Sequence, residues 1–135
     1  MNESGKTLVI LLVDDDPSIV KVVGARLRSE GYKVVTAADG EAAVERARSL
    51  LPDLIILDVN LPKRIGYSVS RMLKLDGRTR RIPILMLTAR DQEADWRLGA
   101  LTGADGYMTK PFETQDLLRT IRNLLAAAGR TPSDP

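Results

Sequence analysis

Five polar residues in this sequence stand at or just beyond the ends of strand-like runs, and their types suit the handling of a phosphoryl group. Asp14 and Asp15 follow the run 8–13, Asp58 closes 53–58, Thr88 follows 83–87, and Lys110 follows 105–109. Three carboxylates brought together repel one another and raise one another's pKa unless a cation neutralises them. A hard divalent ion that prefers oxygen ligands, Mg²⁺ or Mn²⁺, meets that need. Lys110 adds a second positive charge. A carboxylate held beside a metal ion and an ammonium can attack phosphorus, because the cations offset charge on the incoming phosphoryl oxygens. A Thr88 hydroxyl can donate to another of those oxygens. The chain has no histidine and no cysteine, so catalytic triads, imidazole bases, thiolate nucleophiles and zinc–sulfur sites are excluded. The pattern is that of a phosphoryl acceptor built without histidine.

The elements that would position these residues alternate along the chain. The run 8–13 (LVILLV) is continuous and aliphatic, as in a strand buried on both faces of a parallel sheet. Asp16 then suits an N-cap and Pro17 a first helical position, with Ile19, Val23 and Leu27 at helical spacing and Gly31 at the stop. A short β-branched strand is predicted at 33–36. Asp39 caps a second helix with Ala43, Ala47 and Leu50 on one face, closed off by Pro52. Residues 53–58 form a third strand, 60–65 a loop, 66–75 a helix and 76–81 a basic loop. The fourth strand is 83–87, ending at Thr88 and Ala89. A helix is predicted at 91–101, a fifth strand at 105–109, and a last helix at 114–128 with Leu117, Ile121, Leu124 and Leu125 apolar. Five strands alternating with five helices imply right-handed crossovers and a doubly wound parallel sheet covered on both faces. Ligands of such α/β folds collect at the C-terminal strand ends, where Asp14, Asp15, Asp58, Thr88 and Lys110 fall.

Composition sets the outer limits. A chain of 135 residues allows one domain, expected at 7–128 with 129–135 as a tail or linker, and 44% hydrophobic with 28% charged residues supports an ordinary packed core. No apolar run reaches the roughly 20 residues that cross a bilayer. The polar start 1–6 lacks the features of a secretion signal, so the expected location is cytoplasmic. With 20 basic and 18 acidic residues the net charge of +2 favours no partner, and there is no recognition helix or basic stripe for direct nucleic-acid binding.

The segments VDDDP (13–17), LIILDVNLP (54–62), ILMLTAR (84–90) and GADGYMTKPF (103–112), in that order, resemble the response-regulator receiver domains of two-component systems, the CheY-like family. The resemblance covers residues 7–127. It implies a flavodoxin-like strand order of 2-1-3-4-5. By position, Asp58 resembles the phosphoacceptor, Asp15 the direct Mg²⁺ ligand, Asp14 an acid acting through water, and Asn60 the donor of a backbone carbonyl to the metal. Thr88 and Lys110 resemble the phosphoryl-contacting pair, and Ala89 the small residue that leaves the phosphoryl room. Tyr107 resembles the aromatic that turns on activation, with Thr88 as the other switch residue. Lys110–Pro111 matches a peptide bond that is cis in the family, which proline makes accessible. The implied function is a phosphoacceptor taking its phosphoryl group from a histidine kinase or histidine phosphotransfer protein in trans. It would be a signalling domain that promotes its own phosphorylation and dephosphorylation, not a metabolic enzyme. Its output partner or homodimer would use the face made by the helix at 91–101, the fifth strand and the last helix.

Three features depart from the commonest family pattern. The loop after Asp58 reads Leu61-Pro62-Lys63-Arg64-Ile65-Gly66, with two cations and no acid before the glycine. Asn60 and Arg90, which flank the phosphorylation site, are large and polar. Trp96 and Leu101 lie on the helix expected at 91–101, Trp96 being a candidate interface anchor. An alternative within the fold is a module cut from a hybrid kinase or a transcription factor. A metal-dependent phosphohydrolase with an aspartyl nucleophile is a rival, but Val59-Asn60-Leu61 after Asp58 departs from its DxDx[TV] pattern. A degenerate scaffold receiver would be expected to lose Asp58, Lys110 or the acidic pair, and all are present.

Overall fold

The computed structural model describes residues 7–89 and 103–130. Its elements are β1 (Val9–Val13), α1 (Pro17–Ser29), β2 (Lys33–Ala37), α2 (Gly40–Leu50), β3 (Leu54–Asp58), α3 (Gly66–Leu75), β4 (Ile84–Ala89), β5 (Gly106–Lys110) and α4 (Thr114–Ala127). The strands form one parallel sheet in the order β2-β1-β3-β4-β5. Of the five helices expected, four are found among the described residues. The fifth, at 91–101, lies outside them together with Arg90, Trp96 and Leu101.

Alternation along the strands creates two cores. Leu11, Val13, Ile55, Leu57, Ile84 and Met86 pack on one face with Ala43, Val44 and Ala47 of α2 and Val69 and Leu73 of α3. Ile10, Leu12, Leu54, Ile56, Leu85 and Leu87 pack on the other with Val23 and Leu27 of α1 and Leu117, Ile121 and Leu125 of α4. Most of these strand residues are wholly buried. Burying one such side chain contributes roughly 1.5–3 kcal/mol, which is why uninterrupted aliphatic runs appear as the inner strands β1, β3 and β4.

The helix boundaries follow from local chemistry. The Asp16 carboxylate accepts from the Ser18 N–H (2.9 Å) ahead of Pro17, and the Asp39 carboxylate accepts from the Ala42 N–H (2.8 Å) at the start of α2. α1 ends in a Schellman motif. Gly31 (φ 96°) donates to the Arg28 carbonyl, and Tyr32 donates to the Leu27 carbonyl. Leu50, expected on the apolar face of α2, is instead 49% exposed. Val44 takes that place in the core. α2 is closed by Leu51 in the left-handed region (φ 49°), and both Leu50 and Leu51 are exposed ahead of Pro52.

Candidate functional site

Parallel register brings the polar strand ends to one edge. Val13 pairs with Leu57, Asp58 with Leu87, and Ala89 with Lys110, so Asp14, Asp58, Thr88 and Lys110 emerge within about one residue of a common level. Asp14 is 1% exposed and Asp58 6%, whereas Asp15 stands in solvent. Carboxylate oxygens of Asp14, Asp15 and Asp58 lie within 4.8 Å of one another, an all-oxygen donor set that suits a hard divalent cation. Lys110 Nζ donates to Asp14 Oδ2 at 2.8 Å and lies 3.4 Å from Asp58 Oδ1. Lys110 leads into a cis peptide bond with Pro111.

The backbone holds these groups from below. Asp14 donates its N–H to the Ala37 carbonyl (3.1 Å), and its Oδ1 accepts from the Asp16 N–H (3.0 Å). The Asn60 N–H points at Asp58 Oδ1 across 3.4 Å, and Val59 is tied to the Leu87 carbonyl. Burial pushes the Asp58 carboxyl above its usual value and the Asp14 charge adds to the rise, while Lys110 and the Asn60 N–H pull it down. Burial by itself would lower Lys110, but its bonds and charge attraction to Asp14 and Asp58 outweigh that and raise it. The pair of buried acids thus competes for one ammonium, and a further cation would relieve the imbalance.

Thr88 is buried at the end of β4, beside Asp58's partner Leu87, and Ala89 follows it half-buried. Tyr107 on β5 pairs with Met86 and leans on the α2–α3 core. Its hydroxyl is buried and has no hydrogen-bond partner among the described residues. Burial and the neighbouring Tyr67 and Asp105 raise its pKa. The loop cations do not join the acids. Lys63 pairs with Asp39 at 3.7 Å, and Arg64 shows no ion pair among the described residues. Gly66 escaped the sequence reading except as a helix start. A Cβ there would meet the Asp58 carbonyl at 2.4 Å, so only glycine lets α3 begin against the end of β3. The signal was available as a glycine at the end of the loop that follows Asp58.

A doubly wound sheet of order 2-1-3-4-5, with a buried acid pair and a lysine at the crevice between β1 and β3, defines an α/β domain with its polar site at the C-terminal strand ends. Residues 10–122 match the response regulator receiver domain, and the chain belongs to that family. It is 46% identical over 123 residues to the DNA-binding dual master transcriptional regulator RpaA of Synechocystis, covering 91% of this chain and 51% of that protein. It is 47% identical over 116 residues to the alkaline phosphatase synthesis transcriptional regulatory protein PhoP of Bacillus subtilis, covering 86% and 48%. The chain therefore spans about half the length of these curated relatives. Among solved structures it resembles a response regulator from Chloroflexus aurantiacus (TM-score 0.86, 39% identity, 90% of this chain and 99% of that one). It also resembles the receiver domain of the sensor histidine kinase PA1611 from Pseudomonas aeruginosa, which has a magnesium ion coordinated in its active-site cleft (TM-score 0.83, 36% identity, 90% and 99%). Among the described residues, no helix is long and apolar enough to cross a membrane.

Proposed function

We propose that this receiver domain, taken as residues 7–128, accepts a phosphoryl group on Asp58 in the presence of Mg²⁺. The observation that carries the reading is the Asp14–Asp15–Asp58 cluster with Lys110 bonded to one buried acid and near the other. Asp14, Asp15, Asp58 and the Asn60 carbonyl would hold the ion, and Mn²⁺ would suit the same oxygens. When bound, the metal neutralises charge on the acids and on phosphoryl oxygens. Asp58 supplies the attacking carboxylate oxygen. Lys110 holds a phosphoryl oxygen, and Thr88 donates its hydroxyl to another. The P–N bond of a phosphohistidine breaks as the Asp58 O–P bond forms, and the imidazole leaves with the electron pair. These 135 residues hold no histidine, so the donor phosphohistidine lies outside them, and we assign it to a histidine kinase or phosphotransfer protein in trans. Hydrolysis of the resulting acyl phosphate at the same residues would return the domain to its resting state. We place this exchange in the cytoplasm, where kinase catalytic domains meet their acceptors.

A second reading concerns the whole protein. Coverage of only about half of RpaA and PhoP favours a receiver module of a longer transcription factor, with residues 129–135 as the start of a linker. DNA contact would then belong to the attached half. Phosphorylation would act through Thr88 and Tyr107 on the face of β5 and α4, the proposed partner or homodimer surface.

Incubation with Mg²⁺ and acetyl phosphate tests the reading. The attacking Asp58 oxygen displaces acetate, so mass spectrometry should show one added phosphoryl group, labile to hydroxylamine and absent from Asp58→Asn. An unchanged adduct in Asp58→Asn assigns the nucleophile elsewhere.

A further inference from the structure

The loop between β3 and α3 carries Asn60 and begins at the phosphoacceptor, yet only part of what fixes it comes from its own strand. Its far side rests on the N-terminus of α2. The Gly40 N–H, which has no partner inside α2 because it opens the helix, donates to the Pro62 carbonyl at 3.2 Å. Lys63 reaches back to the Asp39 carboxylate that caps the same helix. The two segments touch so closely that a Cβ on Gly40 would lie 2.1 Å from the Arg64 carbonyl oxygen, 2.5 Å from its Cβ and 2.8 Å from its carbonyl carbon. Two of those atoms are backbone, so a rotamer change cannot relieve the clash. Gly40 has no left-handed φ, and its requirement is for contact rather than conformation. At its other end the loop is bound to its own start, with the Gly66 N–H on the Val59 carbonyl (2.8 Å). Lys63 between these anchors sits in the left-handed region (φ 69°), a strained setting for a lysine that the anchors must enforce.

We infer that Gly40 is a positioning residue for the phosphoacceptor site: the seam it forms with Pro62 and Arg64 sets the height of the 59–65 loop. It thereby sets the readiness of the Asn60 segment to serve a metal ion beside Asp58. The inference rests on the metal and phosphoacceptor reading above. It adds a contact outside that site, on a different helix, as the element that tunes it. Supports of a metal ligand act on this scale, typically changing affinity about 10- to 100-fold when lost. Coupling is also reciprocal: if the seam favours Mg²⁺, then Mg²⁺ must tighten the seam by the same free energy.

Both directions are measurable. Calorimetric titration with Mg²⁺ alone should show about tenfold weaker binding by Gly40→Ala than by the parent chain. Gly77→Ala, at a glycine with open space around it, should bind as the parent does. In the unmodified protein, exchange of the Gly40 amide should slow severalfold on adding Mg²⁺, since the Pro62 carbonyl is its partner among the described residues. This second measurement decides the matter if Gly40→Ala fails to fold. Parental Mg²⁺ affinity in a folded Gly40→Ala, or a Gly40 amide indifferent to Mg²⁺, overturns the seam while leaving the acidic site intact. Undiminished binding by Asp15→Ala overturns the metal site itself, and the seam's role with it.

Discussion

Arg64 carries a buried Nε–H with no hydrogen-bond partner among the described residues. A buried donor left unmatched costs about 1–3 kcal/mol of desolvation, so the cation is a liability in a half-buried position. Methionine follows the same path as the arginine stem and has no donor to strand. Arg64→Met should therefore raise stability by about 1 kcal/mol, seen as a higher urea midpoint at unchanged slope. A lower midpoint would show that the guanidinium has a partner of value. The sequence announced two cations near the site but not where they would point, because a loop's path is decided by what it packs against. The acids and Lys110 were legible for the opposite reason. Each stands at the end of a strand or within two residues of it, and parallel register converts that position in sequence into one edge in space. Thr88 and Tyr107 were legible as positions only. The burial of the Tyr107 hydroxyl, with no hydrogen-bond partner among the described residues, is a property of tertiary packing that no sequence position announces.

Between α2 and α3, one carboxylate does the work of a corner. Asp76 follows α3 and accepts from Arg48 Nε of α2 (3.0 Å), and from the Arg78 backbone N–H (2.9 Å) and guanidinium. The Arg78 hydrogen bonds, with the charges of Arg78 and Arg48, hold its pKa down to about 2 from the usual 3.8. Because the folded value is the lower one, the folded state favours the charged form. The stability that Asp76 confers is complete above about pH 4, declines as the pH falls, and is gone below about pH 2. The difference in urea midpoint between the parent and Asp76→Asn should be constant from pH 7 to about 5 and shrink toward zero between 4 and 2. A difference that persists unchanged at pH 2 would assign the effect to shape rather than charge. Helices were legible where chemistry is local. α3 matches its predicted 66–75 span, and the caps at Asp16 and Asp39 and the Gly31 stop hold as read. The prediction for Leu50 failed because helical spacing marks a face without saying how far along a short helix that face stays covered.

Two cores on opposite faces of one sheet leave its two ends free for different tasks. The C-terminal ends of the strands carry the acids. The other end is closed by a contact that no local pattern reveals, since its partners lie 77 residues apart. Gly129 (φ 73°) ends α4 in a Schellman turn, with the Arg130 N–H on the Leu125 carbonyl at 2.7 Å. That turn aims the Arg130 guanidinium at the buried Asp53 carboxylate (3.1 Å), whose other oxygen accepts from the Val9 N–H at 2.8 Å. Asp53 was read as the first residue of a strand. It is instead the knot joining β1, β3 and the end of α4. In a longer regulator, as proposed above, the same knot would fix the direction in which the chain leaves the domain. Removing Arg130 takes a charged partner from a buried carboxylate, a loss of about 2 kcal/mol for a charged hydrogen bond. Arg130→Ala should lower stability by that amount, and Asp53→Asn combined with it should cost less than the two single losses added, because the pair is already broken. Mg²⁺ affinity should stay parental in Arg130→Ala, since the acids sit at the far end of the strands. Strict additivity of the two substitutions in urea denaturation would show that Arg130 and Asp53 are neighbours without being partners.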